Sequence, residues 1–372
     1  MGQKLEVRPY RPSDASRVRA LLHTRPELSG AAADRRADVF EWLAEHNPHA
    51  RDETTYFVAV APATGDVIAY IGRMPLDATW RGKPVRLYFG HDLYMHPEHR
   101  AQGAAGFFTT MKLYREVERS PGPVGLLWTS ALNLEFQRRR NYVEVESLRL
   151  VKVLDPVGRW APQWRGRAAR WSKQWVRRGW RSLEGGAARL RAAGLAIRPV
   201  TRFDERFDRL AERIAPTSPL VVKRDAAYLN WKYIDRPHHP FVSFAVTQGD
   251  TLRGFVTLLE TEGERGADEP EGTIADYAVA PGDGAALNAL CHHATLYFLR
   301  RKKVRIHALA TDPALVDQFN RNLFLSRPDD PLMVIHPEQG PPGASLDTRA
   351  GWQLTFGDSD GLCFWGLGLA RD

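Results

Sequence analysis

Two apolar runs inside Tyr56–Arg73, parted by the turn residues Gly65-Asp66, and a third over Arg86–Met95 predict three strands, the first two as a hairpin. Shorter apolar runs at Leu5–Arg8 and Val124–Ser130 predict two more. Pro12–Leu22, Ala104–Glu118 and Leu132–Asn141 instead repeat apolar positions every three or four residues, the period of a helix with one buried face. That order predicts a mixed sheet with helices on both faces.

The pattern occurs twice. Val7-Arg8-Pro9 returns as Ile197-Arg198-Pro199, with Asp14 matched by Asp204, and Gly65-Asp66 returns as Gly249-Asp250. Asp92 through Pro97 return as Asp276 through Pro281, and Gln137, Arg140 and Asn141 as Gln318, Arg321 and Asn322. The order is kept and the spacing drifts only slightly, so the fold class is α/β, two units in tandem. A length of 372 residues agrees, because single cores stop growing near ~250–300 residues. The expected boundaries are residues 1–155 for the first unit, 156–195 for a connector and 196–372 for the second.

The most specific segment is Asp92–Glu118, where an apolar strand passes through a loop of small residues directly into a helix. Arg100, Ala101, Gln102, Gly103, Ala104, Ala105 and Gly106 fit the pattern Arg/Gln-x-x-Gly-x-Gly/Ala and one residue beyond. Small side chains let backbone N–H groups close on a diphosphate, and a helix N-terminus adds partial positive charge. With Met95-His96-Pro97 before it and the hairpin upstream, this segment resembles the acyl-CoA loop of the GNAT (GCN5-related N-acetyltransferase) superfamily. The resemblance implies two tandem GNAT-like units, with acyl-CoA as co-substrate and a primary amine as acceptor, and the placement of the two cysteines calls for no metal. It also implies a CoA site formed by Leu93 and Met95 of the strand, by the loop Arg100–Gly106 and by Asn133. In the second copy Gly284, Leu287 and Ala289 stand where Arg100, Gly103 and Ala105 stand in the first, and the bulky Leu287 predicts no CoA there.

Direct attack of an amine on a thioester needs a group to take the amine proton. Asp92 stands about where the superfamily carries an acidic base, and its neighbour His91 carries an imidazole, whose ordinary pKa of about 6.5 suits proton transfer. Adjacent strand residues point to opposite faces, so one of the two is expected at the substrate. The family pattern aromatic-Tyr-x-x-x-Gly-Phe falls on Phe136–Tyr142 and puts Gln137 in place of the thiolate-protonating tyrosine. Asn133 and Tyr94 are candidates to orient the thioester. In the second unit Arg224, Tyr228 and Trp231 lead an aromatic and basic cluster, read either as an acceptor pocket or as a docked helix.

A net charge of +8 calls for an anionic partner, and part of it lies in the connector. Helical spacing brings Trp164, Trp171 and Trp175 within about 40° of one another, with Arg170, Lys173, Arg177 and Arg181 opposite, a pattern suited to an anionic membrane surface. The alternative is a helix docked on a domain through its Trp stripe. Nucleic acid ranks last, since no module for it accompanies the basic residues. Cys291 and Cys363 lie in apolar stretches, as buried thiols in a reducing compartment do, and MGQKLEVRPY lacks a signal region. The expectation is a cytoplasmic N-acyltransferase, peripheral on the membrane, acting on a lipid amine such as a sphingoid base or on an envelope amino sugar. A non-catalytic acyl-CoA sensor or envelope-assembly factor is the alternative.

Overall fold

The computed structural model describes residues 5–28, 30–119, 124–129, 131–140, 142–145, 147–154, 175, 178–179, 194–260, 271–328, 332–336 and 352–359. The strands β1 (Glu6–Pro9), β2 (Tyr56–Val60), β3 (Val67–Trp80) and β4 (Lys83–Met95) form an antiparallel series, and β5 (Val124–Thr129) joins β4 in parallel. Helices α1 (Ala15–Leu22) and α2 (Gly30–Glu45) cover one face of this sheet. Helices α3 (Pro97–Arg100) and α4 (Ala104–Arg119) follow β4, α4 lies on the opposite face, and α5 (Ala131–Arg138) follows β5.

Three features differ from the sequence reading. The predicted helix Pro12–Leu22 opens as a 3-10 turn over Pro12–Asp14, where Asp14 accepts from Arg8 and from the Arg11 N–H. Helix α2 was not in the predicted series. Its buried side includes small Ala32, Ala33 and Ala37 and even Arg36, so the contrast between its faces is weak. Strand β3 continues past Arg73 to Trp80, because its far end pairs both with β4 and with β9 (Leu220–Val222).

Both sheets are mixed, and they exchange strands. After the short β6 (Val143–Val145), β7 (Leu148–Val153) joins the second sheet, in the order β14 (Leu325–Pro328), β7, β13 (Arg305–Ala310), β12 (Glu271–Val279), β11 (Thr251–Glu260), β10 (Phe241–Gln248), β8 (Ala196–Val200). In return β15 (Leu332–His336) sits between β5 and β6 in the first sheet. Chain order and sheet membership therefore part near residue 148, ahead of the boundary expected at 155. Helices Glu205–Ile214 and Gly284–Arg300 flank the second sheet. One buried apolar cluster runs from Val18, Phe40 and Tyr70 through Phe207 and Tyr228 to Trp352, so the halves share a core.

A buried polar seam closes that core. Arg224 donates to Asp276 at 2.9 Å and to Asp358 at 2.7 Å, and Tyr233 donates to the other Asp276 oxygen at 2.9 Å. Lys232 donates to the Tyr228 hydroxyl at 3.0 Å and to the Gly357 carbonyl. Asp358 is pushed up by burial and by neighbouring Asp276, against the pull of Arg224. Two cations, Arg224 and Lys232, are balanced here by two carboxylates, Asp276 and Asp358, and removal of one partner from such a set typically costs about 3–5 kcal/mol.

Of the connector, Trp164 and Trp171 lie outside the described residues, while Trp175 is helical and 55% exposed. Among the described residues no helix is long and apolar enough to cross a membrane.

Gly357 allows the seam to close: a Cβ there would lie 2.3 Å from the Tyr233 oxygen and 2.7 Å from Asp276 Cγ. Gly357→Ala is expected to lower unfolding free energy by about 1–3 kcal/mol in urea titration, through overpacking. Gly30→Ala, where an added methyl meets nothing within 4 Å, is the control and should leave the midpoint in place.

Candidate active site

The site begins where two strands part. β4 and β5 pair from Leu87–Val124 to Gly90–Leu127, and beyond Gly90 the outer edge of β4 has no strand partner among the described residues. There a cavity of about 280 Å³ opens, lined by Gly90 to Leu93 on one side and by Tyr114, Asn133, Gln137 and Tyr142 on the other. Downstream on β4, Met95 is buried against Phe57, Ile71 and Leu113, whereas Leu93 is 38% exposed.

The loop of small residues lies at the end of the same strand. Gly103 takes φ +59°, the left-handed conformation that favours glycine, and the first bond of α4 runs from the Phe107 N–H to the Gly103 carbonyl. The amides from Gly103 to Gly106 thus precede the helix ladder. A Cβ on Gly106 would stand 3.0 Å from the His99 carbonyl and 3.2 Å from Arg100 Cα, so its absence lets α3 close on α4. His99 and Thr109 fasten that contact at 3.2 Å. Arg100, Ala101, Gln102, Ala104 and Ala105 are exposed around the loop. The corresponding helix of the second half begins differently. Asp283 caps it, accepting from the Ala286 N–H at 3.0 Å, and Leu287 and Ala289 are buried in the second core.

His91 and Asp92 do not divide between the two faces of the sheet, as strict alternation requires. Tyr94 pairs with Tyr70 and His91 with Gly72, so Asp92 and Leu93 together oppose the single residue Ile71. Asp92 accommodates this bulge with φ +51°. Both side chains therefore meet the α1–α2 side. The His91 ring packs edge-on against Tyr56 at 5.1 Å, and Gly72 leaves room for it, since a Cβ there would lie 2.4 Å from Nε2. The Asp92 carboxylate is buried and accepts from Arg36 and, at 3.5 Å, from Tyr70, with Arg25 3.7 Å away. Burial and the adjacent Asp92 charge push the Tyr70 phenol up. Tyr94 sits under the Arg25 guanidinium at 4.1 Å and shares a hydrogen bond with Thr24 at 3.1 Å.

On the cavity side, Gln137 is buried and its Nε2 donates to the Tyr114 hydroxyl at 3.4 Å. Burial pushes the Tyr114 phenol up, which keeps its proton on oxygen. Arg140 donates to Glu118, and Tyr142 donates to Glu118 at 3.3 Å, which walls off the cavity beyond Tyr114. The sequence reading missed Tyr114, Glu118 and Tyr142. The signal was the four-residue spacing of Tyr114 and Glu118 on α4, which marks one helix face and was read only as amphipathicity.

The second cluster is not at this cavity. Arg224 lies in the buried seam, Tyr228 stacks on His49 at 4.6 Å, and the Trp231 carbonyl accepts from Trp42 Nε1 at 3.2 Å. All three residues are interior. Among the described residues no group of three or more His, Cys, Asp or Glu side chains is arranged to hold a metal.

No family model matches this chain, and no curated protein sequence matches it significantly. Solved structures do. A GCN5-related N-acetyltransferase from Anabaena variabilis superposes with TM-score 0.58 at 13% identity, covering 89% of this chain and 72% of that one. The fold is that of the GCN5-related N-acetyltransferases. A probable N-acyltransferase from Enterococcus faecalis gives TM-score 0.57 at 13% identity over 90% of this chain and 73% of that one. The Saccharomyces cerevisiae N-myristoyltransferase with bound myristoyl-CoA gives 0.53 at 15% identity, over 90% and 83%. At such identities the likeness to the GCN5-related enzymes speaks for the fold, and the chemistry rests on this chain's own residues.

The ion pair at the bulge can be tested alone. Arg36→Met leaves the buried Asp92 carboxylate with only the longer contacts to Arg25 and Tyr70 and is expected to cost about 3 kcal/mol in urea unfolding. Adding Asp92→Asn should recover most of that loss, because the amide brings no charge into the interior.

Proposed function

We propose that this protein is an acyl-CoA-dependent N-acyltransferase that moves an acyl group from the thioester to a primary amine. The observation that carries the reading is the edge of β4 beyond Gly90, unpaired among the described residues, which ends in the Gly103 loop and the N-terminus of α4. An extended pantetheine arm can add to such an edge as a strand would, with main-chain hydrogen bonds. The loop amides and helix N-terminus then receive the pyrophosphate, with Arg100 beside it. In the second half the Asp283 carboxylate already accepts from the Ala286 N–H in the first turn of the corresponding helix, which supports CoA binding by the first site only.

In the proposed reaction the amine nitrogen bonds to the carbonyl carbon, the C–S bond breaks, and its electron pair stays on sulfur. The amine loses a proton and the sulfur gains one. We assign the first transfer to His91, since the Asp92 carboxylate is already engaged by Arg36 and Tyr70 and serves to hold the bulge. Tyr114, oriented by Gln137, is assigned to the sulfur in place of the tyrosine that the family pattern expects at 137. The acceptor class is a lipid amine such as a sphingoid base, or an envelope amino sugar. The basic, Trp-bearing connector supports a peripheral site on an anionic membrane, reached from the cytoplasmic side.

Because the halves exchange strands, the tests use the whole chain. Calorimetry should detect CoA binding, and Gly103→Leu should abolish it while the melting temperature stays close to that of wild type. A mass-spectrometric screen of acyl-CoA chain lengths against candidate amines should yield an amide product, and its absence in the presence of CoA binding would favour a sensor. With a substrate pair in hand, His91→Ala and Tyr114→Phe should each slow the chemical step by about 10². A larger loss on Asp92→Asn than on His91→Ala would return the proton-accepting role to Asp92.

A further inference from the structure

Helix α4 presents an outward stripe that packing does not explain. Gly106, Thr109 and Leu113 form its buried side. Phe108, Lys112, Arg115 and Arg119 recur at the spacing of one helix face on the other side, with Phe107 next to Phe108. Phe107 is 54% exposed and Phe108 63%, and their rings lie 6.0 Å apart. Two adjacent phenyl groups left in water are costly to a folded chain unless something covers them. The cations beside them carry charge of one sign. Arg119 pairs with Glu116, but among the described residues Arg100, Lys112 and Arg115 form no ion pair.

We infer that this face of α4, with Phe107 and Phe108 at its leading end and Lys112 and Arg115 behind them, docks on an anionic lipid surface. Aromatic rings at the depth of the headgroup region with unpaired cations beside them are the pattern of an interfacial helix. Charge complementarity selects the lipid over a second copy of this chain, which would bring the same cations face to face. The stripe runs along the side of α4, whereas the loop amides face its end, so lipid docking and CoA binding use different directions of one helix. The inference stands apart from the connector and from the transfer reaction, since it uses other residues and no catalytic step.

The test is sedimentation of the full chain with phosphatidylcholine vesicles, with and without about one third phosphatidylglycerol, at low and high salt. Wild type should bind the anionic vesicles and be weakened at high salt. Phe107→Ser/Phe108→Ser and Lys112→Glu/Arg115→Glu should each lower the partition at least tenfold, with circular dichroism and melting temperature unchanged. CoA calorimetry on the same variants separates the proposals: a wild type that binds vesicles but no CoA sinks the transferase reading and leaves this one intact. Wild-type affinity for vesicles in both double variants, with loss only in Trp164→Ala/Trp171→Ala/Trp175→Ala, would assign the membrane to the connector and overturn the stripe. Equal binding to neutral vesicles, no binding at low salt, or self-association that disappears with the two phenylalanines would overturn it as well.

Discussion

The geometry of the first unit depends on one residue held in an uncommon conformation. Asp92 takes a left-handed backbone in the middle of a strand, a state that costs a non-glycine residue free energy and persists only when its surroundings demand it. Those surroundings are Arg36 from α2, Arg25 ahead of it and Tyr70 from β3, gathered on a buried carboxylate. The bulge swings His91 and Asp92 to one side and Leu93 to the other, so one short stretch of strand addresses both faces of the sheet at the point where β5 departs. Without the ion pair, a regular strand would put one of the two polar side chains into the α4 side.

The second half shows a comparable arrangement put to a different use. Its long strand β12 is also irregular beside Asp276, where Thr257 pairs with Asp276 and Leu258 with Ile274. Asp276 is again buried on an arginine, Arg224. Here, however, the C-terminal segment folds in over the pair, bringing Thr355 and Asp358 into hydrogen bonds with it and making a filled seam. One half therefore keeps an opening and the other gains a structural lock. The same carboxylate position serves both ends, since burial with a guanidinium partner keeps a strand bulge in place whether or not a ligand lies beside it.

Much of this was legible in the residues. The period of apolar positions located most of the first unit's elements, and the ordered recurrence of short segments marked two units. Gly103 and Gly106 marked the loop because backbone conformation and close approach are local demands, which a glycine meets and most residues do not. Helix α2 was less visible, as alanines and a buried arginine blur a helical stripe. The opposed placement expected of His91 and Asp92 failed because a bulge changes the side-chain period without leaving a mark in composition.

The sequence by itself determined what depends on near neighbours: strand and helix periods, the turn at Gly65-Asp66, the small-residue loop, and the absence of a tyrosine at position 137. Only the tertiary structure decided which strand lies beside which, because β7 and β15 change sheets and their pairing partners are distant in the chain. It also decided that Arg224, Tyr228 and Trp231 are interior, since burial depends on what folds over a residue, here Thr355 and Asp358 at Arg224, His49 at Tyr228 and Trp42 at Trp231. Tyr114 reached Gln137 in the same way. Their hydrogen bond joins two helices across a cavity, and no spacing along the chain encodes a contact made only when the strands between them part.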